Sequence, residues 1–217
     1  MYSFGSLKIK GHADEPVPNT IYRQKIETEQ TALIFPGFGY TCQMPLLFYS
    51  IEALLQKGLN VLTVEYNYSR DAQFRALSKE EQIGRLHADV EASYRAAQNQ
   101  GYTEIVTLIG KSLGIRAIAH LLKQHSELKN VKIVWLTPLI KDQNLREQIM
   151  DHEAGSLIAI GTADPYYDED ILASLQSNPR VSVVLIDDGD HGLQVQGDLN
   201  QSLKAISRVM ASVIRFL

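Results

Sequence analysis

The chain is nearly devoid of cysteine: Cys42 is the only one among 217 residues. An internal disulfide is therefore excluded, and the composition suits a reducing compartment. Long apolar runs are absent too. No stretch reaches the roughly 18 residues that a membrane-spanning helix needs. The opening segment, Met1 to Ser6, is not followed by the apolar core of a secretory signal. A cytoplasmic protein with no membrane partner is expected. Clustered positive charge is also missing. Lys and Arg number 21 against 25 Asp and Glu, the formal net charge is −4, and the basic residues are scattered. No surface for a nucleic-acid backbone is expected from such a balance. His, Cys and carboxylate residues do not recur at metal-ligand spacing, so no metal is expected. Repeats, low-complexity tracts and linkers are lacking, and the length suits one domain spanning residues 1–217.

What is present is the makeup of a globular protein, 45% apolar and 21% charged. Short β-branched runs alternate with helical patterns, which predicts a mostly parallel sheet with helices on both faces. Strands are expected at Thr31–Phe35, Asn60–Tyr66, Ile105–Ile109, Val131–Leu136, Ser156–Gly161 and Val181–Ile186. Two earlier strands, Ser6–Lys10 and Thr20–Ile26, are expected at an antiparallel edge. Helices are expected at Leu46–Lys57, Lys79–Asn99, Ile115–His125, Lys141–His152, Asp168–Gln176 and Leu199–Phe216. In the long helix, Ile83, Leu86, Val90 and Tyr94 share one stripe. In the last, Leu203, Ile206, Val209, Met210 and Val213 do so, a face suited to core packing.

Gly110-Lys111-Ser112-Leu113-Gly114 reads G-x-S-x-G between an apolar strand and a helix. A serine on so sharp a turn presents its hydroxyl above the sheet and frees the next N–H for an oxyanion. Gly110-Lys111-Ser112 also ends like a phosphate-binding loop, but that motif needs a glycine at 105, where Ile stands. A serine that only caps the next helix would need no partners elsewhere. Here partners are available. Asp164 follows the strand Ser156–Gly161, and His191 lies in Asp187-Asp188-Gly189-Asp190-His191-Gly192 after the strand Val181–Ile186. Serine needs an imidazole to take its proton, and the imidazole needs a carboxylate to orient it. Asp142 is a reserve candidate for the acid. His87, His120 and His125 fall on helices and are expected to be surface or satisfied core residues.

The order Ser112, Asp164, His191 resembles the α/β-hydrolase superfamily. So does Pro36-Gly37-Phe38-Gly39 after the strand Thr31–Phe35. The resemblance runs from about Leu33 to the final helix and is strongest to the small, nearly lidless branch of dienelactone-hydrolase-like and acyl-esterase-like proteins. Pro36 stands where many members carry His, and Ile115 stands where a second glycine often follows the elbow. The resemblance implies an α/β-hydrolase fold and a serine hydrolase with Ser112, Asp164 and His191 catalytic. It further implies an oxyanion hole from the backbone N–H groups of Phe38 and Leu113.

Tyr40, Tyr66, Tyr68, Tyr166 and Tyr167 lie just past strand ends, where such a sheet forms its pocket. Gly37, Tyr40, Tyr66 and Tyr166 are the candidates for substrate contact. Lys111 either forms an ion pair beneath the site, with Glu65 as its nearest partner, or snorkels to solvent. Between Pro138 and Ser156, where this fold inserts lid domains, only one short polar helix fits. The expected substrate is thus a small or medium acyl compound, an ester or thioester, and no cofactor is needed. A ligand-binding protein on the same scaffold and an acyltransferase remain the alternatives. The oligomeric state is not indicated.

Overall fold

The structure is a computed structural model that describes residues 1–217. Its strands are β1 (Tyr2–Gly5), β2 (Asn19–Gln24), β3 (Gln30–Phe35), β4 (Asn60–Val64), β5 (Glu104–Lys111), β6 (Lys132–Leu136), β7 (Ser156–Gly161) and β8 (Val181–Ile186). Its helices are α1 (Pro45–Gln56), α2 (Ala72–Ala76), α3 (Lys79–Asn99), α4 (Leu113–Gln124), α5 (Gln143–Asp151), α6 (Glu169–Gln176) and α7 (Leu199–Phe216). The strands form one sheet in the order β1-β2-β4-β3-β5-β6-β7-β8. β1 and β2 pair antiparallel, β2 also pairs antiparallel with β4, and the remaining pairs are parallel.

Parallel strands covered on both faces must bury both sets of alternate side chains. β3 shows the rule. Leu33 and Phe35 enter a core shared with Leu86 and Val90 of α3 and with Ile118 and Leu121 of α4. Ala32 and Ile34 enter a second core with Leu47 and Leu54 of α1 and with Val209 and Val213 of α7. α3 starts with a reciprocal cap between Ser78 and Glu81, which fixes its first turn. On α7, Val209, Met210 and Val213 are buried, whereas Leu203 stays 56% exposed at the rim of the stripe. No helix is long and apolar enough to cross a membrane.

The N-terminal strand differs from expectation. Leu7 and Ile9 are buried and alternate like a strand, yet the paired strand is Tyr2–Gly5. The Asn19 side chain accepts from the Leu7 N–H at 2.8 Å and donates to the Leu7 carbonyl at 3.0 Å. Both backbone groups that a ladder would use are thereby taken by an amide. The short α2, which Asp71 caps by accepting from the Phe74 N–H, is not foreshadowed by any long periodic pattern.

Candidate active site

The parallel strands end along one edge of the sheet, and the candidate residues lie in the loops there. β5 passes into α4 through a single residue, Ser112, held at φ 51° and ψ −106°. A non-glycine residue in that region costs on the order of 1–3 kcal/mol and must be forced by its surroundings. The forcing is visible. A Cβ at position 114 would lie 2.1 Å from the Phe35 carbonyl oxygen, and one at 110 would lie 2.8 Å from the Gly114 carbonyl oxygen. α4 can thus butt against the end of β3 only because both positions are glycine. Ser112 makes no side-chain cap bond to α4. Its Oγ lies 2.8 Å from His191 Nε2 instead.

Asp164 and His191 come from the loops after β7 and β8. A second close approach joins those loops: a Cβ at Gly161 would lie 1.9 Å from the Gly189 carbonyl oxygen. The Ala163 N–H donates to that oxygen at 3.0 Å, and the Asp188 N–H donates to Thr162 Oγ1 at 2.8 Å. Asp164 is 3% exposed. Its Oδ2 lies 2.7 Å from His191 Nδ1, and its Oδ1 accepts from the Tyr166 N–H at 2.9 Å. The carboxylate is thus fixed on both oxygens. Asp190 shapes the histidine loop by accepting from the N–H groups of Gly192 and Gln194. Asp142 sits elsewhere, capping α5 through the N–H groups of Asn144 and Leu145.

The loop after β3 is braced from within. The Gly37 N–H donates to the Tyr40 carbonyl at 3.0 Å, and the Ser69 N–H donates to the Phe38 carbonyl at 3.2 Å. Neither the Phe38 N–H nor the Leu113 N–H is taken up by a protein acceptor. Leu113 is also the first residue of α4, where the helix dipole favours negative charge. Gly37 is buried with its own N–H already bonded, so it shapes the loop.

The tyrosines divide into two kinds. Tyr166 is 38% exposed, with its ring centroid 5.5 Å from that of His191. Tyr40 is half-buried, accepts from the Leu46 N–H, and has its hydroxyl pushed up to about 12 by burial. Tyr66 differs from the expectation of substrate contact. It is 3% exposed, donates to the Pro36 carbonyl at 3.1 Å, and stacks on Tyr68 at 4.6 Å. It supports the loop from below, with its hydroxyl committed to that carbonyl. Tyr68 is likewise buried, donating to Asp89 at 2.6 Å, and Tyr167 packs against the core.

Lys111 is buried at 2% exposure, so snorkelling does not occur. Glu65 is not its partner either: the ammonium has no carboxylate within ion-pair distance, and Glu65 accepts from Thr63 Oγ1 at 2.9 Å. The Lys111 ammonium donates to Thr137 Oγ1 and, at 2.7 Å, to the His191 carbonyl. Thr137 was not a sequence candidate. The available signal was its place at the end of β6, just before Pro138.

Between β6 and β7 the only helix is α5. The His191 side chain is 32% exposed. The Ser–His pair therefore faces solvent on an open ledge.

Solved structures share this architecture at low identity. A lidless α/β serine hydrolase from Xanthomonas campestris is 16% identical over 99% of this chain and 95% of its own, with a TM-score of 0.65. A dienelactone hydrolase from Anabaena variabilis is 17% identical over 99% and 96%, with a TM-score of 0.68. Est1E from Butyrivibrio proteoclasticus, solved with ferulic acid bound, is 14% identical over 100% and 97%, with a TM-score of 0.70. No curated protein sequence matches the chain. The family model described as an alpha/beta hydrolase domain matches residues 29–217, and the chain belongs to that family.

Proposed function

We propose that the chain is a cofactor-free serine hydrolase acting on small or medium acyl substrates, carboxylic esters or thioesters. The observation that carries this reading is the unbroken hydrogen-bonded path from Ser112 Oγ through His191 to Asp164. In the first half-reaction His191 Nε2 takes the Ser112 proton as Oγ attacks the acyl carbonyl. The carbonyl electrons move onto oxygen, forming a tetrahedral oxyanion. The N–H groups of Phe38 and Leu113 donate to it, each worth about 3 kcal/mol of transition-state stabilisation. Collapse expels the leaving group, which takes the proton from His191. Water, deprotonated by His191, then attacks the acyl-enzyme, and a second collapse returns the proton to Ser112 and releases the acid. Asp164 accepts from His191 Nδ1–H throughout and supports the imidazolium that forms twice. Family membership and the open ledge both support this assignment.

Labelling with a fluorophosphonate and turnover of p-nitrophenyl acetate test the reading together. The native chain is expected to label and turn over, and Ser112→Ala is expected to do neither while keeping its circular dichroism. Equal labelling of Ser112→Ala would remove Ser112 as nucleophile.

A further inference from the structure

Lys111 is a costly residue for its place. It immediately precedes Ser112 at the end of β5 and is 2% exposed. An ammonium taken from water needs compensation, and a buried one is usually paired with a carboxylate. No carboxylate lies within ion-pair distance of this one. Its donors go to Thr137 Oγ1 at the end of β6 and to the His191 carbonyl in the loop after β8. The ammonium lies 5.2 Å from the centroid of the Tyr40 ring, in the loop after β3. One side chain thus ties together the ends of β3, β5, β6 and β8. Thr137 is itself held at φ 50°, in the left-handed region, so the hydroxyl is presented at some backbone cost. A methionine of similar length would fill the volume without the desolvation penalty.

We propose that Lys111 is a positioning residue whose protonated form clamps the His191 backbone so that Nε2 meets Ser112 Oγ, making turnover dependent on the Lys111 proton. This rests on reading His191 as the base. A bond from an ammonium to a carbonyl is about twice as strong as one between neutral groups. When the proton leaves, the amine keeps two donors for its two oxygens and its lone pair turns toward the negative face of the Tyr40 ring. The attraction to Tyr40 is lost and the clamp weakens. The charged groups that act on the ammonium are Asp164 and Asp190, and both favour its proton. Burial acts the other way and prevails, bringing Lys111 down to about 8 from the usual lysine range. Clamp release therefore falls on the alkaline side of neutrality. A shift of the histidine loop of about 1 Å is enough to cost on the order of 100-fold in rate.

The test uses kcat and KM for a short ester from about pH 6 to about pH 9.5. The native chain is expected to lose kcat through an apparent value near 8, with KM little changed. Lys111→Met is expected to lower kcat roughly 10- to 100-fold at neutral pH, to leave KM within about twofold, and to show no such alkaline limb. A Met variant with native kcat and a native alkaline limb would mean that Lys111 only fills space. A second measurement needs neither turnover nor a folded Met variant. In Ser112→Ala, the Nδ1–H proton resonance of His191 should shift in a step near pH 8 that reports Lys111. A flat resonance across that range overturns the proposal even if Ser112 proves to be the nucleophile. If Ser112→Ala keeps full activity, the step still tests the clamp while the hydrolase reading fails.

Discussion

Two histidines in this molecule hydrogen-bond to carboxylates, and only one of them also meets a serine hydroxyl. His125 caps α4 with Nδ1 3.1 Å from Glu127 and Nε2 2.9 Å from Glu91. His191 has Nδ1 2.7 Å from Asp164 and Nε2 2.8 Å from Ser112. At His125 both ring nitrogens meet carboxylates, so neither is left to take a proton from a hydroxyl. The partner carboxylates differ as well. Glu127 has a side chain 60% exposed, whereas that of Asp164 is fully buried. A charge pair in water is screened, and the same pair shielded from water acts at several times the strength. A histidine–carboxylate contact is thus common structural material. It becomes a base only when its second nitrogen faces a nucleophile that the backbone holds in place.

The sharpest way to break this comparison is to exchange the same side chain at both places. His191→Gln is expected to lose about 10⁴-fold or more in kcat, because no group remains to take the Ser112 proton. His125→Gln is expected to keep native kcat and to lose about 1 kcal/mol of stability from its hydrogen bonds to Glu91 and Glu127. Turnover at saturating ester and urea unfolding, measured on both variants, check the pair. Comparable loss of kcat in the two would show that the α4 cap reaches the site.

Next in size is the carboxylate. Asp164→Asn is expected to cost about 10⁴-fold in turnover, because the amide turns the imidazole to the wrong tautomer. Asp142→Asn is expected to leave turnover near native, since Asn also caps helices and Asp142 does no more than cap α5 and lie 3.8 Å from Arg116. Stopped-assay rates for the two variants decide it, and a reversal would move the acid to the loop after β6.

Much of this was legible because the physics that fixes it is local. The alternation of Ala32 and Ile34 against Leu33 and Phe35 states that β3 is covered on both faces. Gly110 and Gly114 mark a close approach of backbones, and the approach is where the sequence put it. Ser112, Asp164 and His191 come together because each follows its own parallel strand. What escaped the sequence depends on side chains meeting backbone far along the chain. The Asn19 amide takes both polar groups of Leu7, so the alternating stretch after Ser6 is no strand. The Lys111 ammonium finds a carbonyl 80 positions away, and no pattern of residue types marks a carbonyl as a partner. Tyr66 lies past a strand end like Tyr166, but its bond to the Pro36 carbonyl and its stack on Tyr68 turn it inward.

The smallest expected effect concerns the water around the two histidines. The His191 side chain is 32% exposed and that of His125 15%, so the candidate base is the more open of the two. Beside it, Tyr166 is 38% exposed, Phe38 in the loop after β3 is 43% exposed, and α5 is the only helix between β6 and β7. A methylene removed from water contributes about 0.8 kcal/mol, close to fourfold in kcat/KM for each added carbon. An acyl chain lying across an open ledge keeps most of its surface wet and gains little. Specificity is therefore expected to stay flat or fall beyond short chains, roughly C2 to C6, with less than about twofold change per carbon. No interfacial activation should appear on lipid droplets. Values of kcat/KM for p-nitrophenyl esters from acetate to palmitate, taken below their solubility limits, measure the slope directly. A rise near fourfold per carbon toward the long chains would require a deep apolar channel beside His191, and the open-ledge reading of the site would be discarded.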